Sequence, residues 1–299
     1  MINFKLFVNK IKMKLWIKKN LDFNKYKYFF CPSGIGDTLY VLSYMKEYKK
    51  NNPNIQVCFI IKKSHFSLVQ MYNQYIDNVI ILNLNIFNCL SKYLINKRED
   101  SNIIYAHPLR IIYDPCKILG IRGINLLDLY KVILELPFES ELCLPMTSNK
   151  SKKNIDKVFN ERKKILLCPY CVSTSTISIE IWEYIATFFK KRGFKVYTNI
   201  KDSTEKPIKN TKPLYLELEE MYVIANTFYH IFSIRSGLCD LLSLTKVDLT
   251  VFYKADNNKK NISKEYDIYN FKNIGVRKDI NELIVSDKND IINYMKKFY

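Results

Sequence analysis

Cys168, Pro169, Tyr170 and Cys171 form a CPYC run, and five hydroxyl side chains follow closely: Ser173, Thr174, Ser175, Thr176 and Ser178. The two halves of this stretch offer different chemistries. A CxxC dithiol suits thiol–disulfide exchange when its first Cys caps a helix as a low-pKa thiolate and the second sits one turn on to resolve the mixed disulfide. Here a Ser/Thr-rich loop separates the motif from the next helical pattern, and Cys168 reads as the last residue of a buried strand, KILLC. The loop itself is the better candidate. Between the C-terminal end of a strand and the start of a helix, hydroxyls, free N–H groups and the helix dipole all favour a phosphate. Ser and Thr there also serve simply as N-caps.

Two further stretches share that strand–turn–helix setting. In HIFSIRSGLCDLLSL a strand runs into Arg235, Ser236 and Gly237, and a helix starts at once. The Gly allows close backbone approach, and Arg235 offers a permanent planar charge, so the turn reads as a diphosphate cradle. A tight turn with a surface Arg is the plain alternative. In KYKYFFCPSGIGD the first strand ends in a Gly-containing turn, with Asp37 placed directly after Gly36 at a helix start. It lacks the third Gly of a dinucleotide fingerprint and the Lys-Ser/Thr pair of a P-loop. Asp37 can cap the helix or face a cleft as a base.

The elements that must position these turns follow from periodicity. Apolar runs predict strands at Tyr26–Cys31, Ile55–Ile61, Asn78–Leu82 and Asn102–Tyr105, the last ending at Ala106-His107-Pro108. Helical spacing follows the first turn (Leu39, Leu42, Met45, Tyr48), then covers Phe66–Tyr75 and Leu126–Leu136. After a polar, charged stretch from Pro145 to Lys163 the pattern restarts. Strands are expected at Lys164–Cys168, Phe194–Thr198, Leu214–Leu216, His230–Ile234 and Asp248–Phe252, and helices at Ser178–Lys191, Glu219–Asn226, Gly237–Ser243 and Asp290–Lys297. Alternating β and α elements imply parallel sheets with helices on both faces. The expected organisation is a basic N-terminal arm (1–25), a Rossmann-like domain (26–150) and a second Rossmann-like domain (151–299). A ligand cleft is expected between the domains, with room for the last helix to pack back on the first.

The chain has 299 residues, 48% apolar, with a formal charge of +18. Only seven of its 47 basic residues are Arg. Base-edge readout relies on Arg, and no helix-turn-helix, zinc-knuckle or RNP-like pattern stands out, so nucleic acid is not expected as a partner. The eight Cys lie scattered in apolar stretches, as reduced buried thiols of a cytoplasmic protein do. The three His have no paired spacing, so no metal site is expected. Eight Lys and one Asp fall within the first 27 residues, with Phe4, Phe7, Ile11 and Leu15 at roughly helical spacing and no apolar run long enough for a signal peptide or a span. This segment reads as an amphipathic helix on anionic lipid, with Trp16 also free to insert, or as a basic surface helix packed on the body.

Taken together, GIGDTL after the first strand, ILLCPYCVSTSTISIEIWEYIATFFKKRGFKVY and IFSIRSGLCDLLSL make residues 26–299 resemble the inverting, two-Rossmann (GT-B) glycosyltransferases, nearest to the lipopolysaccharide heptosyltransferase-like family and its surface-polysaccharide relatives. The resemblance implies transfer of a sugar from a nucleotide-diphosphate sugar to a glycan or lipid-linked acceptor, without metal or cofactor. It makes Asp37 the base. It maps the donor onto Ser173, Thr174, Ser175, Thr176, Ser236, Gly237 and Leu238, with Arg235 and helix N-termini stabilising the leaving diphosphate. It puts the acceptor over the first half, against Gly34, Gly36, His107 and the basic helices. It also implies a cytoplasmic enzyme, peripheral on the inner face of the cytoplasmic membrane. The chain departs from the heptose pattern: Arg235 stands where an Asp is usual, Cys239-Asp240 occupy the region of a His, and the small-residue loop lacks a Lys. Hexosyl and heptosyl transfer therefore both stay open. So do two other classes, a redox protein using Cys168 and Cys171 and a non-catalytic basic binding protein.

Overall fold

A computed structural model describes residues 2–95, 97, 102–112, 114–119, 123–148, 163–172, 174–256, 259, 262–277 and 279–299. The chain divides into two compact units, Met1–Met146 and Thr147–Tyr299. The division falls four residues before the boundary the sequence suggests. Most of the polar stretch 145–163, residues 149–162, lies outside the described residues.

The first unit holds a four-stranded sheet in the order β3-β2-β1-β4, with β1 Tyr26–Phe30, β2 Gln56–Lys62, β3 Asn78–Leu82 and β4 Ile103–Tyr105. Every pairing is parallel. Alternate residues of a strand face opposite sides, and here both sides are apolar. Phe29 stacks on Phe59 at 5.4 Å and meets Tyr48 edge-on at 5.0 Å. Tyr48 belongs to α3 (Met45–Asn51), which follows α2 (Ile35–Ser43) after a break at Tyr44. α4 (Phe66–Gln70) comes after β2. Tyr28, Phe30, Cys58 and Ile60 form a second core with Phe87, Leu90 and Leu94 of α5 (Leu84–Ile95), a helix absent from the sequence reading. α6 (Leu126–Ile133) closes the unit.

The basic N-terminal segment is not a free arm. It folds as α1 (Ile2–Asn20), and Ile17 and Leu21 are buried in the second core with Met13 and Trp16 packed against it. Ile11 and Leu15, half of the stripe that spacing suggested, are exposed. The reason is bulk. Met13, Trp16, Ile17 and Leu21 offer the sheet face a larger apolar area than the 11/15 edge, and a doubly apolar sheet needs a cover on each face. Trp16 is thus committed to the protein. The side chains of Phe4 and Phe7 lie outside what the structure describes.

The second unit holds a six-stranded parallel sheet in the order β10-β9-β8-β5-β6-β7. The strands are β5 Lys164–Cys168, β6 Lys195–Asn199, β7 Lys212–Leu214, β8 His230–Ile234, β9 Leu249–Lys254 and β10 Asn281–Val285. Counted from β5, this is the 3-2-1-4-5-6 order of a dinucleotide-binding fold. Its core gathers Ile165, Leu167, Phe232, Ile234 and Phe252 from the sheet with Trp182, Ile185 and Phe189 from α7 (Ile179–Lys191). α8 (Leu218–Ala225), α9 (Gly237–Ser243), α10 (Lys264–Tyr269) and α11 (Phe271–Ile274) complete the layers. The last helix, α12 (Lys288–Phe298), puts Ile291 and Met295 into this same core, so it is a member of the second unit. β10, α10 and α11 were not read from the sequence. In both units the chain reverses direction across the sheet beside its first strand, between β1 and β4 and between β5 and β8. The carboxyl ends of those strand pairs are where open sheets of this kind hold ligands.

Candidate functional site

In the first unit the switch point brings the turn after β1 together with the turn after β4. Pro32 cannot continue the β1 ladder. Gly34 becomes the N-cap of α2, exposed and with open space where a Cβ would stand, while Gly36 is buried in the first turn. Asp37 lies in that turn with its side chain 31% exposed. Its Oδ1 accepts a hydrogen bond from the Tyr130 hydroxyl at 2.5 Å. Nε2 of His107 lies 3.9 Å from the same oxygen. Among the described residues Oδ2 has no hydrogen-bond partner.

His107 caps the short turn after β4, its Nδ1 accepting the Leu109 N–H at 3.1 Å. Burial lowers its pKa, and Asp37 opposes that shift. Lys62, at the end of β2, donates to the Ser33 carbonyl at 3.3 Å. Burial lowers its pKa as well, again opposed by Asp37. His65 pairs through Nδ1 with the Thr38 hydroxyl at 3.0 Å, and burial, then Lys62, push it down to about 4. The sequence reading named Asp37, Gly34, Gly36 and His107, and the fold gathers them at one sheet edge. It missed Tyr130, 93 residues from Asp37 in the chain. The nearest hint was the Asn125/Asp128 capping box, which fixes the start of α6 and so the direction of Tyr130.

In the second unit the loop after β5 meets the turn after β8. The Thr174 hydroxyl donates to the Arg235 carbonyl at 2.6 Å, tying the two together. Ser175 and Thr176 are exposed, and the Ser175 N–H donates to Glu265 Oε1 at 2.8 Å. Glu265, on α10, went unnoticed in the sequence. Ser173 lies outside the described residues. Ser236 is the N-cap of α9 and takes the Cys239 N–H at 3.2 Å. The N–H groups of Gly237 and Leu238, the first two of that helix, have no acceptor within it.

Arg235 is a correction. Its side chain is 7% exposed, and its charge is spent inside the protein. Nη2 lies 2.7 Å from Asp240 Oδ1, Nε donates to the Tyr269 carbonyl at 3.1 Å, and Nη1 donates to the Ser236 carbonyl at 2.8 Å. The guanidinium also sits over the Phe271 ring, 5.1 Å from its centre. It braces the turn from behind. Beside it Glu282 accepts from the Tyr253 hydroxyl at 2.6 Å and from the Phe271 N–H at 3.0 Å. Burial raises the Glu282 pKa against those two bonds and the Arg235 charge.

The CPYC run also resolves. Cys168 is 2% exposed and burial pushes its thiol up, so it stays neutral. The Cys171 thiol donates to the Thr174 carbonyl at 3.0 Å. A buried neutral thiol is inert in disulfide exchange, so Cys168 is no redox nucleophile, and Cys171 ties down the loop through its bond to Thr174. Among the described residues no group of three His, Cys, Asp or Glu side chains is placed to hold a metal ion.

No family model matches the sequence, and no curated protein matches it. Solved structures do match. The ADP-heptose LPS heptosyltransferase II of E. coli aligns with a TM-score of 0.59 and 13% identity over 89% of this chain and 94% of its own. A family 9 glycosyl transferase from Veillonella parvula gives 0.58 and 14%, over 92% and 90%. The E. coli heptosyltransferase WaaC, solved with ADP, gives 0.56 and 11%, over 91% and 98%. The fold is that of the two-domain GT-B glycosyltransferases of the heptosyltransferase type.

Proposed function

We propose that this protein is a glycosyltransferase that moves a sugar from a nucleotide-diphosphate sugar to a hydroxyl of a glycan or lipid-linked acceptor, with inversion and without a metal. The observation that carries the reading is the open Oδ2 of Asp37 at the first unit's switch point, on the fold of the heptosyltransferases. In this mechanism the acceptor oxygen attacks the anomeric carbon as its proton passes to Oδ2. The bond from that carbon to the diphosphate oxygen breaks, and its electron pair leaves with the diphosphate. A positioned base of this kind contributes about 10²–10⁴-fold. The donor belongs to the second unit, where the Ser175 and Thr176 hydroxyls and the Gly237 and Leu238 amides stabilise the leaving charge. Arg235 acts only by bracing those amides.

The same reading places the enzyme in the cytoplasm, peripheral on the inner membrane face. Lys10, Lys12, Lys14, Lys18 and Lys19 are exposed on α1 together with Ile11 and Leu15. Anionic lipid attracts each nearby Lys by about 1 kcal/mol, within a Debye length. No helix among the described residues is long and apolar enough to cross a membrane.

The test is Asp37→Asn and Asp37→Ala, assayed by release of nucleoside diphosphate from a panel of nucleotide sugars in the presence of lipid-linked glycan acceptors. Transfer falls by about 10²–10⁴-fold, while the thermal shift given by the donor is kept. Transfer within a few-fold of wild type removes Asp37 from the mechanism.

A further inference from the structure

We propose that Tyr130 and His107 are positioning residues for Asp37, engaging Oδ1 so that Oδ2 alone is presented to the acceptor. This rests on Asp37 being the base. Tyr130 is fully buried, its ring 5.9 Å from that of Tyr40, and it projects from a helix whose start is locked by a capping box. A phenol has one hydrogen to donate, and this one goes to Oδ1 at 2.5 Å. That bond fixes the rotation of the carboxylate.

His107 contributes differently. Its Nδ1 is occupied as an acceptor by the Leu109 N–H. The neutral ring therefore carries its proton on Nε2, the nitrogen facing Asp37. At 3.9 Å the N–H acts on the carboxylate through its dipole and not as a hydrogen bond. Three other groups sense the same carboxylate: Lys62 from β2, His65 from the turn after it, and the Cys31 thiol at the end of β1. All three remain in place when Tyr130 or His107 is changed, so the contribution of each can be isolated.

The chain has only three His, so the imidazole nitrogens of the whole protein are readable by ¹⁵N magnetic resonance without substrate. In the wild type at neutral pH, His107, assigned by loss of its resonances in His107→Gln, is expected as the Nε2–H tautomer. Asp37→Asn shifts its titration downward. Tyr130→Phe, which keeps the ring and removes the donor to Oδ1, lowers kcat for transfer several-fold. KM for the donor stays put, as it should when the change acts through the base and not on donor binding. A far-ultraviolet circular dichroism spectrum matching the wild type certifies the fold of each variant. An Nδ1–H tautomer for His107, or an unchanged kcat in Tyr130→Phe, overturns the proposal. If Tyr130→Phe does not fold, the tautomer and the Asp37→Asn shift still decide it. The spectra come from the free protein, so a loss of the transfer reading through a fully active Asp37→Ala is a separate result.

Discussion

Replacing Arg235 with Ala separates a phosphate-binding arginine from a bracing one. The Arg235–Asp240 pair is 2.7 Å long and its side chains are 7% and 5% exposed. Removing one partner of such a pair leaves a buried charge uncompensated, which costs about 3–5 kcal/mol. In a unit of this size each kcal/mol lowers Tm by about 2–4 °C, so Arg235→Ala is expected to melt the second unit about 6–20 °C early. The double variant Arg235→Met with Asp240→Leu removes both charges, leaves no orphan and recovers most of the loss. The assay is thermal unfolding of all three proteins, with the affinities of the nucleoside diphosphate released in the transfer assay and of its nucleoside measured well below the transition. The two ligands should weaken together. An Arg235→Ala protein with the wild-type Tm, binding the nucleoside normally and the nucleoside diphosphate poorly, refutes the bracing role and returns Arg235 to the diphosphate.

The other predictions concern stability, thiols and membranes. Burial holds His230 down to about 3, between Thr250 and Tyr299, against an ordinary value of 6.5. The unfolded chain takes up a proton that the folded one refuses, so stability is complete above 6.5 and falls toward 3, by about 1.4 kcal/mol per pH unit. Urea unfolding at neutral pH and near pH 5 should show this loss in the second unit, and His230→Gln should flatten it; a slope untouched by the substitution clears His230. In the folded chain an aromatic disulfide should label Cys171 readily, but Cys168 and Cys239 only on unfolding, with Cys171→Ser leaving transfer within a few-fold; prompt labelling of Cys168 contradicts its burial. Reversing Lys10, Lys12, Lys14, Lys18 and Lys19 to Glu should release the protein from anionic vesicles. High salt should do the same to the wild type, the five charges being worth at most about 5 kcal/mol. Equal sedimentation of both proteins means that α1 is not the anchor.

Which elements were legible follows from what each must bury. Strands covered on both faces read as unbroken apolar runs, and KILLC and HIFSI, buried throughout, emerged with their observed bounds. β10, NELIV, is half-buried and starts with Asn and Glu, so no run marks it. The helix α5 carries Phe87, Leu90 and Leu94 at helical spacing, but Asn85 and Asn88 weaken its propensity and blur its edges. Arg235 shows a different limit. Residue type announces a charge without saying where it points, and its partner Asp240 stood five residues away in the same quoted stretch. Tyr130 had no motif at all, because its role is defined by a contact and not by spacing.

Asp37 and His107 are separated by some seventy residues, and the loops holding Thr174 and Arg235 by about sixty, yet each pair meets. Strand order is what joins them, and periodicity does not encode strand order. What the sequence did carry was the end of the strand on which each residue falls. PSGIGD, AHP, VSTST and RSG all lie in the loops that follow strands, and in a parallel sheet every such loop lies on the same edge. Once β4 lies beside β1 and β8 beside β5, four turns collapse into two sites. The chemistry was therefore readable as four fragments on one edge of each sheet. The crossover, set by which strands find each other during folding, is what turned them into a carboxylate with a held oxygen and a hydroxyl loop tied to a helix start.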